Sequence, residues 1–283
     1  MILRVFGLFA ALLLAGCNAA GEEWPAPAPA LWQVTAPSGQ QGWLFGTVHA
    51  LPDGAEWRTP ALGAALDDAG VLIVEIADPG GSGGAQLFEE LARTPGQAPL
   101  LSRVAADDRA ELAAMLEQAG QSEADFAAVE TWAAALMLTS GAGGDPANGV
   151  DRALIGDAEA VRALETRESQ LRLFDGLTEA DQRAILASVI EDANDADPNR
   201  VIRAWLTGDM AALEREANSG FLIRPSLRQT LLTARNAAWL APVMAAIESG
   251  ERPLVAVGAV HLAGTDGLPA LLTARGYTVR RVQ

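Results

Sequence analysis

The 283-residue chain contains no lysine; all twenty of its basic residues are arginine. Imine chemistry on a lysine side chain and a phosphate-binding P-loop are therefore excluded. There is one cysteine, Cys17, so no disulfide can form within the chain. Basic residues are outnumbered by 36 acidic ones, and the formal net charge is −16. That balance argues against a nucleic-acid surface, which needs a basic stripe, and is read as general solubility. Aromatic residues are also scarce, at 5%, so the core rests on Ala, Leu and other aliphatic residues. Half of the chain is hydrophobic. Its length accommodates one large domain or two small ones.

Only two histidines are present, and both end a Gly-x-Val-His tetrapeptide: Gly46-Thr47-Val48-His49 and Gly258-Ala259-Val260-His261. Each tetrapeptide closes an apolar run that reads as a buried strand, and each is followed by Asp-Gly (Asp53-Gly54, Asp266-Gly267). Ala61 to Ile76 can be laid against Gly267 to Val282; both read as a helix, a glycine stop (Gly70, Gly276) and a strand. The repeated unit is strand, Gly-x-Val-His, loop, helix, Gly, strand. Such a unit puts the loop after its first strand at the carboxyl edge of the sheet, where open α/β folds bind ligands. Two His-tipped loops facing one cleft suit metal binding or general base catalysis. Gly46 and Gly258 are expected to permit close backbone approach beneath each His.

The N-terminus carries Arg4, an apolar stretch from Val5 to Ala15 too short for a stable bilayer-spanning helix, and then Leu14-Ala15-Gly16-Cys17. This resembles a bacterial lipoprotein signal, which implies cleavage before Cys17, acylation of that residue and no thiol left for catalysis. Asn18 after the cysteine suggests the outer membrane by resemblance to enterobacterial sorting. Residues 18–30, rich in Pro and Ala, read as a tether between this anchor and a single domain over 31–283. The expected localisation is the cell envelope, facing the periplasm.

The two chain ends predict a mixed α/β (α+β) sheet built from the N- and C-terminal strand–helix–strand repeats. Between them, about residues 80 to 250 read as a large helical insertion that caps the sheet and adds at least one strand. Within it, Ser122 to Thr139 reads as one helix with a capping-box start at Ser122 and Asp125. Val71 to Ile76 reads as a strand carrying Glu75, and Val161 to Leu164 as a strand closed by Glu165. A carboxylate inside Val-Leu-Ile-Val-Glu-Ile is costly without a partner, so Glu75 is either functional or turned outward at the strand end. Pro253 to Val260 reads as the strand before His261. Arg235 and Asn236 fall in the first turns of a helix over Thr233 to Glu248. Asp53, Asp151 and Asp266 read as turn or N-cap residues.

The segments LFGTVHALPDG, VLIVEI, NGVDRAL, ALETRESQLRLFDGL, AWLTGDMAAL, TARNAAWL and LVAVGAVHLAGTDGLPALLTARGYTVRRV together resemble the TraB/PrgY/GumN family, whose animal relatives are the Tiki metalloproteases. The resemblance implies a metal-dependent, peptidase-like hydrolase and places His49, Glu75, Glu165, Arg235 and His261 in the segments of the family's polar site. Other relatives of this fold cleave macrolide esters or take part in haem uptake, so the substrate does not follow. Two His and a carboxylate suffice to bind Zn²⁺, Mn²⁺ or Co²⁺ with a place left for water. On that reading His49, Glu75 and His261 are the ligands and Glu165 is the general base, although the two Glu roles can be exchanged. Arg235 either holds a carbonyl oxyanion or a substrate carboxylate, or pairs with one of these Glu residues. The expected substrate is a peptide or small molecule. The competing classes are a binding lipoprotein, for haem or another ligand, and a scaffold of the envelope.

Overall fold

A computed structural model of the chain describes residues 23–77, 83–139 and 144–283. The leader and Cys17 lie outside the described residues. Six strands form one mixed sheet: β1 (Leu31–Thr35), β2 (Gln41–Thr47), β3 (Val71–Val74), β4 (Val161–Ala163), β5 (Pro253–Gly258) and β6 (Thr278–Arg281). Their spatial order is β4-β3-β5-β2-β1-β6. The four strands β4, β3, β5 and β2 are parallel neighbours, while β1 pairs antiparallel with β2 and β6. This is the mixed α/β architecture expected from the two repeats.

The helices are α1 (Pro60–Asp68), α2 (Gly83–Leu91), α3 (Arg109–Gln118), α4 (Thr131–Thr139), α5 (Val150–Asp157), α6 (Arg167–Asp175), α7 (Glu179–Ala193), α8 (Arg200–Leu206), α9 (Met210–Glu216), α10 (Pro225–Arg228), α11 (Ala234–Glu248) and α12 (Leu268–Thr273). The repeats fold as β2-α1-β3 and β5-α12-β6. β6 opposes β1, and β1 opposes β2, so β6 runs in the direction of β5. Each repeat is thus a crossover between strands of one direction. β2 and β5 lie side by side with Thr47 opposite Gly258, so both Gly-x-Val-His segments leave the sheet at the same edge.

Both faces of the central strands are covered, which is why they read as continuous apolar runs. Trp43, Phe45, Leu72, Val74, Leu254 and Ala256 face one core, packed under α1, α5, α8 and α9. The alternate residues Leu44, Val71, Ile73, Val255 and Val257 face a second core, under α11 and α12. A third cluster is helical only; its largest members include Trp132, Phe126, Leu112 and Leu186, from α3, α4, α7 and the turn before α4. The insertion is therefore divided: part of it is this separate helical core, while α5, β4, α8, α9 and α11 pack with the sheet. The indole Nε1 of Trp205 donates to the Gly46 carbonyl at 2.8 Å, inside the first core. Trp205→Phe is expected to cost about 1–3 kcal/mol, because that bond goes unmade inside the core. A shift of the denaturant midpoint measures it.

Two expected elements differ. Ser122 to Thr139 is not one helix: Glu123–Phe126 is a 3₁₀ turn and α4 begins only at Thr131. The carbonyls of Phe126 and Val129 accept from the buried Arg103 guanidinium at 3.1 and 2.6 Å, and the Glu130 N–H donates to Ala92. Tertiary partners thus take backbone groups a continuous helix would use. The expected start at Ser122 is present, with Asp125 accepting from its N–H and hydroxyl. The strand before His261 ends at Gly258 rather than Val260, and Ala259–Leu262 is a 3₁₀ turn. Likewise β3 stops at Val74, just short of Glu75.

Candidate functional site at the carboxyl edge of the sheet

Four adjacent parallel strands end within a few residues of an ionisable side chain. In spatial order these are Glu165 after β4, Glu75 after β3, His261 after β5 and His49 after β2. The register holds them level: Val74 lies opposite Ala163 and Ala256, and the Glu165 N–H donates to the Glu75 carbonyl at 2.9 Å. The Gly258 N–H turns out of the ladder to donate to Glu75 Oε1 at 2.8 Å. That bond ends β5 and starts the turn that carries His261.

The missing side chain of Gly258 makes room for the convergence. A Cβ placed there would lie 3.2 Å from Glu75 Oε1, 3.6 Å from His261 Cδ2 and 4.0 Å from His49 Nε2. Two imidazoles separated by more than two hundred positions therefore border one small space together with a carboxylate. Gly46 serves the same packing from beneath: its Cβ would stand 3.1 Å from Ala259 Cα. Gly258→Val is expected to displace Glu75 and His261 and to remove any activity of the site, with only a modest loss of stability. Turnover compared with the unfolding midpoint separates the two effects.

Each ring is held from behind. The His49 Nδ1 sits 2.8 Å from Asp151 Oδ2, and the other Asp151 oxygen accepts from the Thr47 hydroxyl at 2.6 Å. Asp151 was expected to be an N-cap; the cap position of α5 is Gly149, and Asp151 points from the first turn back to β2. The His261 Nδ1 is 2.6 Å from Asn236 Oδ1. Asn236 Nδ2 already donates to the carbonyls of His261 and Asp266, which fixes its oxygen toward the ring. His261 therefore carries its proton on Nδ1, and its Nε2 is an acceptor, with Arg235 Nη1 at 3.2 Å. Trp239 lies against the ring with centroids 4.5 Å apart.

Arg235 binds both carboxylates. Its Nη2 is 2.6 Å from Glu75 Oε2 and 2.9 Å from Glu165 Oε2, and its Nε donates to Glu165 Oε1 at 3.0 Å. Glu165 also accepts from Trp239 Nε1 and Gln170 Nε2, so both its oxygens are engaged. Gln170 bridges to Glu75 Oε2 at 3.1 Å. A turn of π-helix, Gln229–Thr233, precedes Arg235, and Arg235 Nη1 donates back to the Leu231 carbonyl within it. Such turns interrupt the regular ladder, and many occur at functional sites. The side chains of Asp53 and Asp266 lie outside this network, the first accepting from Asn148 and the second paired with Arg228.

The protonation states follow from these surroundings. Burial pushes His261 down to about 4, with Arg235 adding to it and Glu75 and Glu165 opposing. The hydrogen bond to Asp151 raises His49, to about 9. Burial pushes Glu75 up, but protonated His261, Arg235, His49 and the Gly258 N–H outweigh it and hold the carboxyl at about 2. At neutral pH the space thus has one neutral imidazole, one imidazolium and one carboxylate along its border. The folded His261 resists a proton that the unfolded chain takes up near its ordinary 6.5. Stability is therefore expected to fall as pH drops from about 6.5 through about 4, and His261→Gln is expected to flatten that window. Unfolding midpoints across the range measure it. The His49 side chain is 72% exposed, so its own shift contributes little to stability.

A cavity of about 290 Å³ opens onto His49 and Glu75, lined further by Ile76, Pro146, Gly149, Asp151, Arg152, Arg167 and Gln170. A larger one, about 850 Å³, is lined by Asp108, Ser188, Asp192, Arg200, Glu216 and Val260 and holds none of the site's groups; the smaller cavity is the relevant one. Among the described residues, no three His, Cys, Asp or Glu side chains stand arranged to hold a metal ion. The donors nevertheless fit one in kind. Both rings have Nδ1 tied to an outer partner, as metal-binding imidazoles commonly do; His49 Nε2 borders the Gly258 space, and His261 Nε2 lies 3.9 Å from Glu75 Oε1. His261 Nε2 now faces Arg235, so a cation there would replace that contact.

Fold and site together define an α/β protein whose adjacent parallel strands deliver a His/Glu/Arg centre to one edge of the sheet. The chain belongs to the TraB/PrgY/gumN family, whose model matches residues 30–281. No curated protein and no solved structure matches it. Reasoning from the sequence placed His49, Glu75, Glu165, Arg235, Asn236, Gly258 and His261, all of which this network contains. It missed Asp151, Gln170, Thr47 and Trp239. Trp239 had a readable signal, since it stands four residues after Arg235 on the same helix face.

Proposed function

We propose that this site is the active centre of a metal-dependent hydrolase acting on a peptide-like or small amide or ester substrate. The observation that carries the reading is the convergence of both imidazoles and Glu75 on the space left by Gly258. His49 Nε2, His261 Nε2 and Glu75 would hold the divalent ion, of the Zn²⁺, Mn²⁺ or Co²⁺ kind. When bound, such an ion supplies a water whose pKa falls from about 15.7 to about 7 and polarises the substrate carbonyl. Asp151 and Asn236 orient the two rings. Arg235 balances the charge of Glu75 and Glu165, and its Nη1, which now faces His261 Nε2, would be freed for an oxyanion once an ion held that ring. Glu165, whose oxygens are held by Arg235, Trp239 and Gln170, positions Arg235.

Binding without turnover is the second reading, and haem is its weakest form. The cavity, about 290 Å³, is at the lower limit for ligand pockets, which run to about 1,000 Å³. The lipobox-like Leu14-Ala15-Gly16-Cys17 supports an acylated Cys17 that anchors the domain to the cell envelope. Among the described residues, no helix is long and apolar enough to cross a membrane. The test is hydrolysis of a peptide and ester panel by the purified protein, with and without a chelator. The expected result is turnover that the chelator removes and Zn²⁺ or Mn²⁺ restores. Chelator-insensitive turnover, or none on any substrate with metal present, contradicts the proposal; a Soret band after haem addition favours the binding reading.

A further inference from the structure

The segment Asn148-Gly149-Val150-Asp151-Arg152 does more than orient His49. The start of α5 is locked beneath the end of β2. The Val150 N–H donates to the Val48 carbonyl at 3.0 Å. Gly149 approaches so closely that a Cβ on it would be 2.5 Å from the His49 carbonyl oxygen. Asp151 is spent on His49 and Thr47. The next residue, Arg152, is exposed and lines the cavity that holds His49 and Glu75.

Arg152 has no ion pair or hydrogen-bond partner among the described residues, in a chain with 36 carboxylates and twenty arginines. Other arginines on neighbouring elements are paired: Arg58 with Asp157, Arg162 with Glu251, and Arg235 with both site glutamates. An unpaired guanidinium on a fixed backbone, opening into a site cavity, suits a ligand carboxylate, which it can bind through two parallel N–H groups. The cations at the inner end of the cavity, Arg235 and the His49 ring, are already spent on Glu75 and Asp151, and Arg167, which also lines the cavity, has a partner of its own. A carboxylate is therefore directed to the Arg152 end, which leaves an uncharged group to meet His49 and Glu75.

We propose that Arg152 is a specificity-determining residue that recognises a carboxylate on the substrate and thereby sets which neighbouring carbonyl is presented to the His49–Glu75–His261 centre. The proposal rests on the hydrolase reading for what happens to that carbonyl, but not for the binding itself. The matching substrates are acyl amino acids or peptides with a free carboxylate, at the chain end or on a side chain.

The two histidines make the test direct, because the imidazole signals of the labelled protein report on site occupancy without turnover. The probes are N-acetyl-Ala-Ala, its C-terminal amide, and N-acetyl-Ala-Asp amide. The acid is expected to shift the His49 signal with an affinity about 10-fold or more above that of the amide, the effect of one charge-assisted contact. Arg152→Gln is expected to erase that difference, and Arg152→Lys to keep part of it. If hydrolysis is present, Arg152→Gln raises KM for the acid by a similar factor. Comparison with the Asp amide assigns the carboxylate to a chain end or a side chain. Acid and amide shifting His49 alike, neither shifting it, or Arg152→Gln retaining the preference would overturn the proposal. Absence of metal binding or turnover with the carboxylate preference intact sinks the hydrolase reading alone.

Discussion

Arg235→Ala is expected to lower the free energy of unfolding by about 3–5 kcal/mol near neutral pH, the usual cost of stranding a buried charge. One guanidinium, 13% exposed, serves Glu75 and Glu165, which are 10% and 13% exposed. Without it, burial of Glu75 is opposed mainly by the Gly258 N–H and the imidazoles. The carboxyl then rises from the value of about 2 at which it is now held. The sign of the pH dependence follows. In the native chain the depressed Glu75 stabilises the fold above its ordinary value of 4.5, and the contribution is lost as pH falls through about 2. In the variant that depression shrinks, so its deficit is largest near neutrality and narrows in acid. Adding Glu75→Gln and Glu165→Gln to Arg235→Ala is expected to recover part of the loss, because no uncompensated charge remains. Denaturant unfolding near pH 7 and at about pH 4 measures all three effects. A deficit of under about 1 kcal/mol at neutrality would mean that Arg235 is a surface-like pair and not the centre of the network.

His49→Ala and His261→Ala are each expected to remove hydrolysis, by at least about 10²–10⁴-fold, yet to differ in stability. The His261 ring is buried, bonded to Asn236 and Arg235 and packed on Trp239. Its removal leaves Asn236 Oδ1 and Arg235 Nη1 short of a partner, at a cost of about 1–3 kcal/mol. The His49 ring is open to solvent, and Asp151 keeps the Thr47 hydroxyl when the ring is gone. Its variant should stay within about 0.5 kcal/mol of the native chain. Turnover with added metal and unfolding midpoints on the same preparations give both quantities. Activity in either variant contradicts a shared centre; a stable His261→Ala contradicts the geometry that holds the ring.

The legible parts of the fold are those set by local pattern and burial. β2, β3 and β5 are covered on both faces and so read as apolar runs, and their glycine stops and Pro60 bound the helix between. The two histidines stood out because nothing else in the chain shares their setting. What stayed hidden depends on partners far away in sequence. Asp151 has the local look of a helix start, and only the pairing of β2 with the α5 entrance, about a hundred residues on, turns it toward His49. β5 stops at Gly258 because the carboxylate of Glu75, just after β3, takes its N–H. α4 begins late because Arg103 holds the carbonyls before it. In each case a tertiary hydrogen bond overrides a local preference that was correctly read.

The most direct measurement of the shared centre is titration of the purified protein with Co²⁺, followed by its visible absorption and by the paramagnetically shifted imidazole N–H signals. The expected result is one ion per chain with two shifted imidazole signals, from His49 and His261, both lost when either residue is replaced by Ala. Absence of binding, or binding that survives in the His49→Ala, His261→Ala double variant, would contradict it.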